Sequence, residues 1–126
     1  IYEPDYVIVV DETLVAAVDV TAGLKKDGAI VINSAKDPEE FRPLLRGFEG
    51  KIYTIDARKI SVEELGRYFP NVPMLGAIAK ITKLMDEEVF IQAMEKSFHH
   101  KFATKPHVID GNMRALKRAM QEVKGL

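Results

Sequence analysis

Cysteine is absent from the 126 residues. That excludes disulfides, thiolate zinc sites and thiolate-bound iron–sulfur clusters within this sequence. No uninterrupted apolar run approaches the roughly 18 residues of a membrane span; a long one is Val7-Ile8-Val9-Val10. An excess of one charge is missing too. Eighteen Lys and Arg face nineteen Asp and Glu, for a net charge of -1 and a pI near 6.4, so the global basic field that nucleic-acid binding draws on is absent. Arg114, Lys117, Arg118 and Lys124 gather near the C-terminus, but Glu122 interrupts them and a solvated helix face is the simpler reading. The opening Ile-Tyr-Glu-Pro-Asp has neither a basic start nor an apolar stretch, which makes a cytoplasmic location the default expectation. Gln occurs only at 92 and 121 and Asn only at 33, 71 and 112. So few thermolabile residues beside many Lys and Glu point to a thermophilic source.

Self-contained catalytic signatures are missing as well. There is no glycine-rich phosphate loop, nucleophile elbow or cluster of metal ligands. His99 and His100 are adjacent, and helix neighbours do not face the same way, so they make a poor chelate. His107 stands by a later helix start.

What is present reads as an α/β protein. Tyr6–Val10, Ala29–Ile32 and Ile52–Ile55 are short, continuous apolar runs rich in β-branched residues. Such runs predict strands buried on both faces, hence a parallel sheet. Helical stretches between them give the order β-α-β-α-β with right-handed crossovers. Glu12–Leu24 predicts short helical turns around Asp19-Val20-Thr21. Asp37-Pro38-Glu39-Glu40 reads as an N-cap with Pro at the first helical position, and Ser61-Val62-Glu63-Glu64 as a capping box.

The remainder is helical. Pro73–Leu84 is apolar on most sides, which predicts burial on most sides. Asp86–Phe98 is amphipathic through Val89, Phe90, Ala93, Met94, Ser97 and Phe98. Pro106–Lys124 carries Ile109, Met113, Leu116, Met120 and Val123 on one face, with Gly125 as its stop. Asn112 falls between these apolar residues and needs hydrogen-bond partners. The expectation is a three-layer architecture, mainly parallel sheet with helices on both faces and a helical C-terminal part. It forms one domain over residues 1–126, without repeat, low-complexity stretch or linker. Ile1 stands only a few residues before a central-type strand, so an upstream strand and helix are expected to belong to the same fold, and pairing of two copies through the open edge is a further expectation.

In open parallel sheets ligands sit outside the carboxyl ends of the strands. Those ends read Asp11-Glu12-Thr13, Asn33-Ser34-Ala35-Lys36 and Asp56-Ala57-Arg58. Asn33, Ser34 and Lys36 could hold an anionic group at a helix start. Asp, Asn and Ser in such turns more often cap helices or satisfy loop amides. Asn71-Val72-Pro73-Met74-Leu75-Gly76 enters a helix whose free N–H groups could meet an anion, and Gly76 permits close approach of a ligand or of another backbone.

Several segments resemble the gamma subunits of pyruvate and related 2-oxoacid:ferredoxin oxidoreductases. They are Tyr6–Leu14, Gly28–Ser34, the tail Val108–Ala119 and, most specifically, Asn71-Val72-Pro73-Met74-Leu75-Gly76-Ala77, close to the family's Asn-Thr-Pro-Met-Leu-Gly-Ala. The likeness runs through nearly all of the chain in the right order. The family's opening strand and its Gly-x-Gly-Gly-Gln-Gly-like loop have no counterpart here, as expected of a gamma domain truncated at its N-terminus. The resemblance implies a Rossmann-like gamma domain and an overall reaction in which a 2-oxoacid, coenzyme A and oxidised ferredoxin give acyl-CoA, carbon dioxide and reduced ferredoxin. It implies alpha, beta and delta partner subunits carrying thiamine diphosphate, Mg2+ and 4Fe-4S clusters, with no catalytic residue in this chain. The gamma piece then contributes to coenzyme A binding and assembly, through Asn33, Lys36, Asn71, Met74 and Gly76. Pyruvate is the first choice of substrate; 2-oxoisovalerate, 2-oxoglutarate and indolepyruvate belong to the same class. A stand-alone α/β ligand-binding module without enzyme activity is the alternative. A receiver-like signalling domain would share the acidic Asp11, Glu12 and Asp56, but the helical tail fits it poorly.

Overall fold

A computed structural model describes residues 5–126. The opening residues 1–4, on which the expectation of a cytoplasmic location partly rests, lie outside the described residues. The chain forms two compact units, one reaching to Asp56 and including Val123–Leu126, the other Ala57–Glu122.

The first unit is built on three parallel strands in the order β1 (Tyr6–Val9), β2 (Ala29–Asn33), β3 (Lys51–Ile55). Val7 pairs with Ile30, and Ile30 in turn with Ile52. All five residues of β2 are buried, as are Ile52–Ile55 of β3. These two strands match their continuous apolar runs. β1 differs: Val9 is buried while Tyr6 and Ile8 are exposed, so it is the edge strand of the described sheet with only one face covered. The core joins Val9, Ile30, Ile32 and Ile52 to Val15, Phe41 and Leu45 from the connections.

Helix α1 spans Thr13–Ala17. It precedes Asp19, whose carboxylate instead closes a tight turn by accepting from the N–H and hydroxyl of Thr21. The connection from β2 to β3 holds no α-helix. Its two 3-10 turns are Pro38–Glu40 and Arg42–Leu44. The start at Asp37 is real, and the Glu40 carboxylate accepts the Asp37 N–H at 2.8 Å. The helix cannot lengthen, because Pro43 has no N–H to give and its ring would meet a carbonyl of the preceding turn.

The two sides of this sheet end differently. On the far side of β3, Lys124 and Thr54 exchange backbone hydrogen bonds at 2.8 and 3.1 Å. Gly125 therefore does not stop a helix; it sits at φ +108°, where an added Cβ would lie 2.4 Å from the Ile52 carbonyl oxygen.

The second unit is helical: α2 (Ala57–Leu65), α3 (Asn71–Thr82), α4 (Glu87–Lys101) and α5 (Pro106–Glu122). Ser61 is not an N-cap. It lies buried inside α2, donates its hydroxyl to the Arg58 carbonyl at 3.0 Å and accepts the Phe69 N–H at 3.1 Å. Ser61 thus closes the turn after the helix instead of opening the helix, while Glu64 accepts from Arg114 and Arg118. Asp86 does cap α4, accepting from the N–H groups of Glu88 and Val89.

Helix α5 is the hub, with Ile109, Met113, Leu116 and Met120 buried along one face. Gly76 of α3 meets it where an added Cβ would stand 2.5 Å from the Leu116 carbonyl oxygen. Gly111 of α5 meets α2 in the same manner, 2.8 Å from the Glu64 carbonyl oxygen. Burial of α3 is confined to its first half, Val72 to Ala77, with Leu75 exposed. Only Phe98 is fully buried on α4, and Val89 and Ala93 of its expected apolar stripe are exposed. Arg114 and Arg118 form no free basic patch. Arg114 donates to Glu64, and Arg118 to Glu63, Glu64 and Glu122. The two guanidiniums hold the Glu64 carboxyl below the usual glutamate range, Arg114 contributing most.

The Thr54 hydroxyl is fully buried and has no hydrogen-bond partner among the described residues. Such a group carries a desolvation cost of about 1–3 kcal/mol. Thr54→Val keeps the shape and removes the hydroxyl, so the urea midpoint should hold or rise by the equivalent of about 1 kcal/mol. A fall of that size would show that the hydroxyl is bonded after all.

Candidate functional site

In the first unit the carboxyl ends of β1 and β2 are tied together. The Asn33 amide donates to the Val10 carbonyl at 3.1 Å. Ser34 donates its N–H to the Ile55 carbonyl at 3.0 Å, and its hydroxyl accepts the Lys36 N–H at 3.0 Å. Asn33 and Ser34 are buried, and both make the loop-shaping bonds that Asn and Ser commonly make in turns. Asp11 serves α1 in the same way. It accepts the hydroxyl of Thr13 at 2.7 Å and its N–H at 3.0 Å, and these bonds lower its pKa below the usual aspartate value.

Lys36 is the exception. Its side chain is exposed, and its ammonium stands 5.9 Å from the centre of the Phe41 ring. No carboxylate pairs with it among the described residues. Asp37, its neighbour, instead accepts Lys124 at 3.1 Å. A free cation held beside a strand end is suited to an anionic ligand group.

In the second unit Asn71 is the exposed first residue of α3, Met74 is buried in the helical core, and Gly76 is covered by α5. Asn71 therefore presents to solvent, while Met74 and Gly76 build the platform beneath it. None of the five residues lines either main cavity. The more enclosed one uses Arg67, Phe69, Lys101, Phe102 and His107, which the strand-end rule does not reach. Their only signal in the sequence is the pairing of a cation with an aromatic ring, in Arg67-Tyr68-Phe69 and Lys101-Phe102. No group of three metal-ligating side chains converges among the described residues. No helix among them is long and apolar enough to cross a membrane.

The fold defines a class: an open parallel α/β sheet with a helical unit. The chain belongs to the pyruvate ferredoxin/flavodoxin oxidoreductase family, which residues 1–122 match. It is 43% identical over 121 residues to the pyruvate synthase subunit PorC of Thermotoga maritima, across 96% of this chain and 61% of that protein. It is 38% identical over 124 residues to the pyruvate/ketoisovalerate oxidoreductases common subunit gamma of Pyrococcus furiosus, across 98% and 64%. The crystal structure of the T. maritima PORC subunit superposes with a TM-score of 0.84 at 41% identity, across 98% of this chain and 66% of that one. The chain thus spans somewhat under two thirds of the length of these relatives.

Gly76→Ala separates packing from ligand contact. Forcing a methyl against the Leu116 carbonyl costs about 1–3 kcal/mol, and better helix propensity returns at most about 1 kcal/mol. The urea midpoint should fall by the equivalent of about 1–2 kcal/mol. An unchanged or raised midpoint would mean that the close approach of α3 and α5 is not a constraint.

Proposed function

We propose that this chain is part of the gamma subunit of a 2-oxoacid:ferredoxin oxidoreductase. The carrying observation is its family membership, together with relatives near 40% identity whose names are those of pyruvate synthase and gamma subunits. Within such a complex it contributes to coenzyme A binding and to assembly, while a 2-oxoacid is oxidatively decarboxylated to acyl-CoA and ferredoxin is reduced. Pyruvate is the first choice of substrate. The P. furiosus relative carries both pyruvate and ketoisovalerate in its name, which favours a gamma subunit that leaves the choice of 2-oxoacid to its partners. Thiamine diphosphate, Mg2+ and 4Fe-4S clusters belong to the alpha, beta and delta subunits in this reading. The lack of cysteine in these 126 residues agrees with that division. The working place is the cytoplasm, where ferredoxin is met through the complex.

Lys36 is the residue on which the coenzyme A role rests. Its ammonium is exposed and unpaired at a strand end, and a phosphate of coenzyme A supplies the missing anion. Asn33 holds the loop that carries Lys36, and Asn71 offers an exposed amide at a helix start. Met74 and Gly76 act through packing.

Lys36→Ala in the full complex should raise the apparent KM for coenzyme A by about tenfold, the loss of one charge-assisted contact. The KM for the 2-oxoacid should not move. An unchanged KM for coenzyme A would remove Lys36 from the site.

A further inference from the structure

We propose that the helical unit holds a ligand site for a small aromatic anion, in a cavity of about 420 Å³ between α2, α4 and α5. The proposal stands on this geometry alone and does not depend on the coenzyme A reading.

The floor is apolar. Phe69, Val72, Phe98 and Phe102 line it, with Leu65 and Val108 beside them. Val72 and Phe98 are buried, and the rings of Phe98 and Phe102 lie 6.4 Å apart at a tilt of 32°. The two rings pack on each other and present apolar faces and edges on which an aromatic guest can pack in the same way. The volume falls within the roughly 300–1,000 Å³ of small-molecule pockets.

The rim carries two cations. Arg67 and Lys101 line the mouth with His107 beside them, and all three are exposed. Arg67 stands 4.9 Å from the centre of the Phe69 ring and Lys101 5.5 Å from that of Phe102, which holds both charges beside the apolar floor. None of the three pairs with a carboxylate among the described residues. Glu64 is the one acidic side chain in the lining. Its two oxygens already accept from Arg114 and Arg118 at 2.8 and 3.0 Å, so it leaves the local field positive. Asn112, 5% exposed, also lines the cavity. Its amide donates to the Val108 carbonyl at 2.8 Å, and its oxygen has no partner among the described residues. An apolar aromatic body with a single anionic head satisfies all three features: rings below, cations at the mouth, and one acceptor in the wall for a polar substituent.

The probe is 8-anilinonaphthalene-1-sulfonate, titrated into the full-length protein and followed by fluorescence. Saturable binding at one site per chain is expected, weakening with added salt. Arg67→Ala/Lys101→Ala should raise its Kd by about tenfold or more, with the circular dichroism spectrum unchanged because both side chains are exposed. Leu84→Ser should leave the Kd alone. Absence of saturable binding, or a Kd indifferent to the double variant, overturns the proposal. So does a Kd that responds to Leu84→Ser, because the probe would then be reporting the exposed apolar residues Leu84 and Met85.

Discussion

The close approach of two helix backbones at Gly76 is the constraint on which the helical unit depends. With no Cβ at that position, α3 settles directly onto the Leu116 carbonyl. The approach lets Val72, Met74 and Ala77 fill the space beside Leu116, Ala119 and Met120, all of them buried. Gly111 repeats the device one and a half turns earlier on α5, against α2. One helix thus gathers two others through glycines that carry no chemistry of their own. A domain is stable by only about 5–15 kcal/mol, so a methyl group misplaced at such a contact is a sizeable fraction of the total. The segment that most closely resembles the family, Asn71 to Ala77, is the one that performs this packing.

The sheet of the other unit rests on a different asymmetry. β2 is buried on both faces, and β3 has its outer edge closed by the antiparallel bridge to Lys124. β1 keeps one face open through Tyr6 and Ile8. The polar strand ends are mostly occupied with holding their own loops: Asn33 on Val10, Ser34 on Lys36, Asp11 on Thr13. Lys36 projects an exposed ammonium that no carboxylate among the described residues pairs with. That contrast turns a row of plausible polar residues into one specific candidate.

Much of the architecture was legible in the sequence because burial writes it there. The β-branched runs of β2 and β3 and the 3.6-residue spacing of Ile109, Met113, Leu116 and Met120 are direct imprints of what each residue packs against. The misreadings have local physical causes. Ser61 followed by Glu64 is the composition of a capping box, but the same hydroxyl can close a turn eight residues ahead, and only the fold decides which. The start at Asp37 is a genuine helix start, and Pro43 cuts it to a 3-10 turn. β1 has the composition of a buried strand and an edge strand's exposure, which alternation within four residues cannot reveal. At the candidate site, exposure decided what residue type could not. Asn33, Lys36 and Asn71 are polar in the sequence alike, yet only Lys36 combines exposure with an unpaired charge. Met74 and Gly76 belong to the family-like motif and lie inside the packing. The cavity rimmed by Arg67, Lys101 and His107 escaped the sequence because its lining comes from two distant stretches of the chain, 64–72 and 98–112.

The central claim is that this chain works as one subunit of a larger oxidoreductase and not as a free-standing binding module. Affinity purification of the tagged full-length protein from its source cells, with native mass spectrometry of the eluate, tests this most directly. The account predicts a stoichiometric assembly with additional chains that bring thiamine diphosphate and iron–sulfur clusters, and that reduces ferredoxin when given coenzyme A and pyruvate or another 2-oxoacid. A protein that elutes alone, with no such cofactors and no coenzyme A-dependent reduction of ferredoxin, would contradict it.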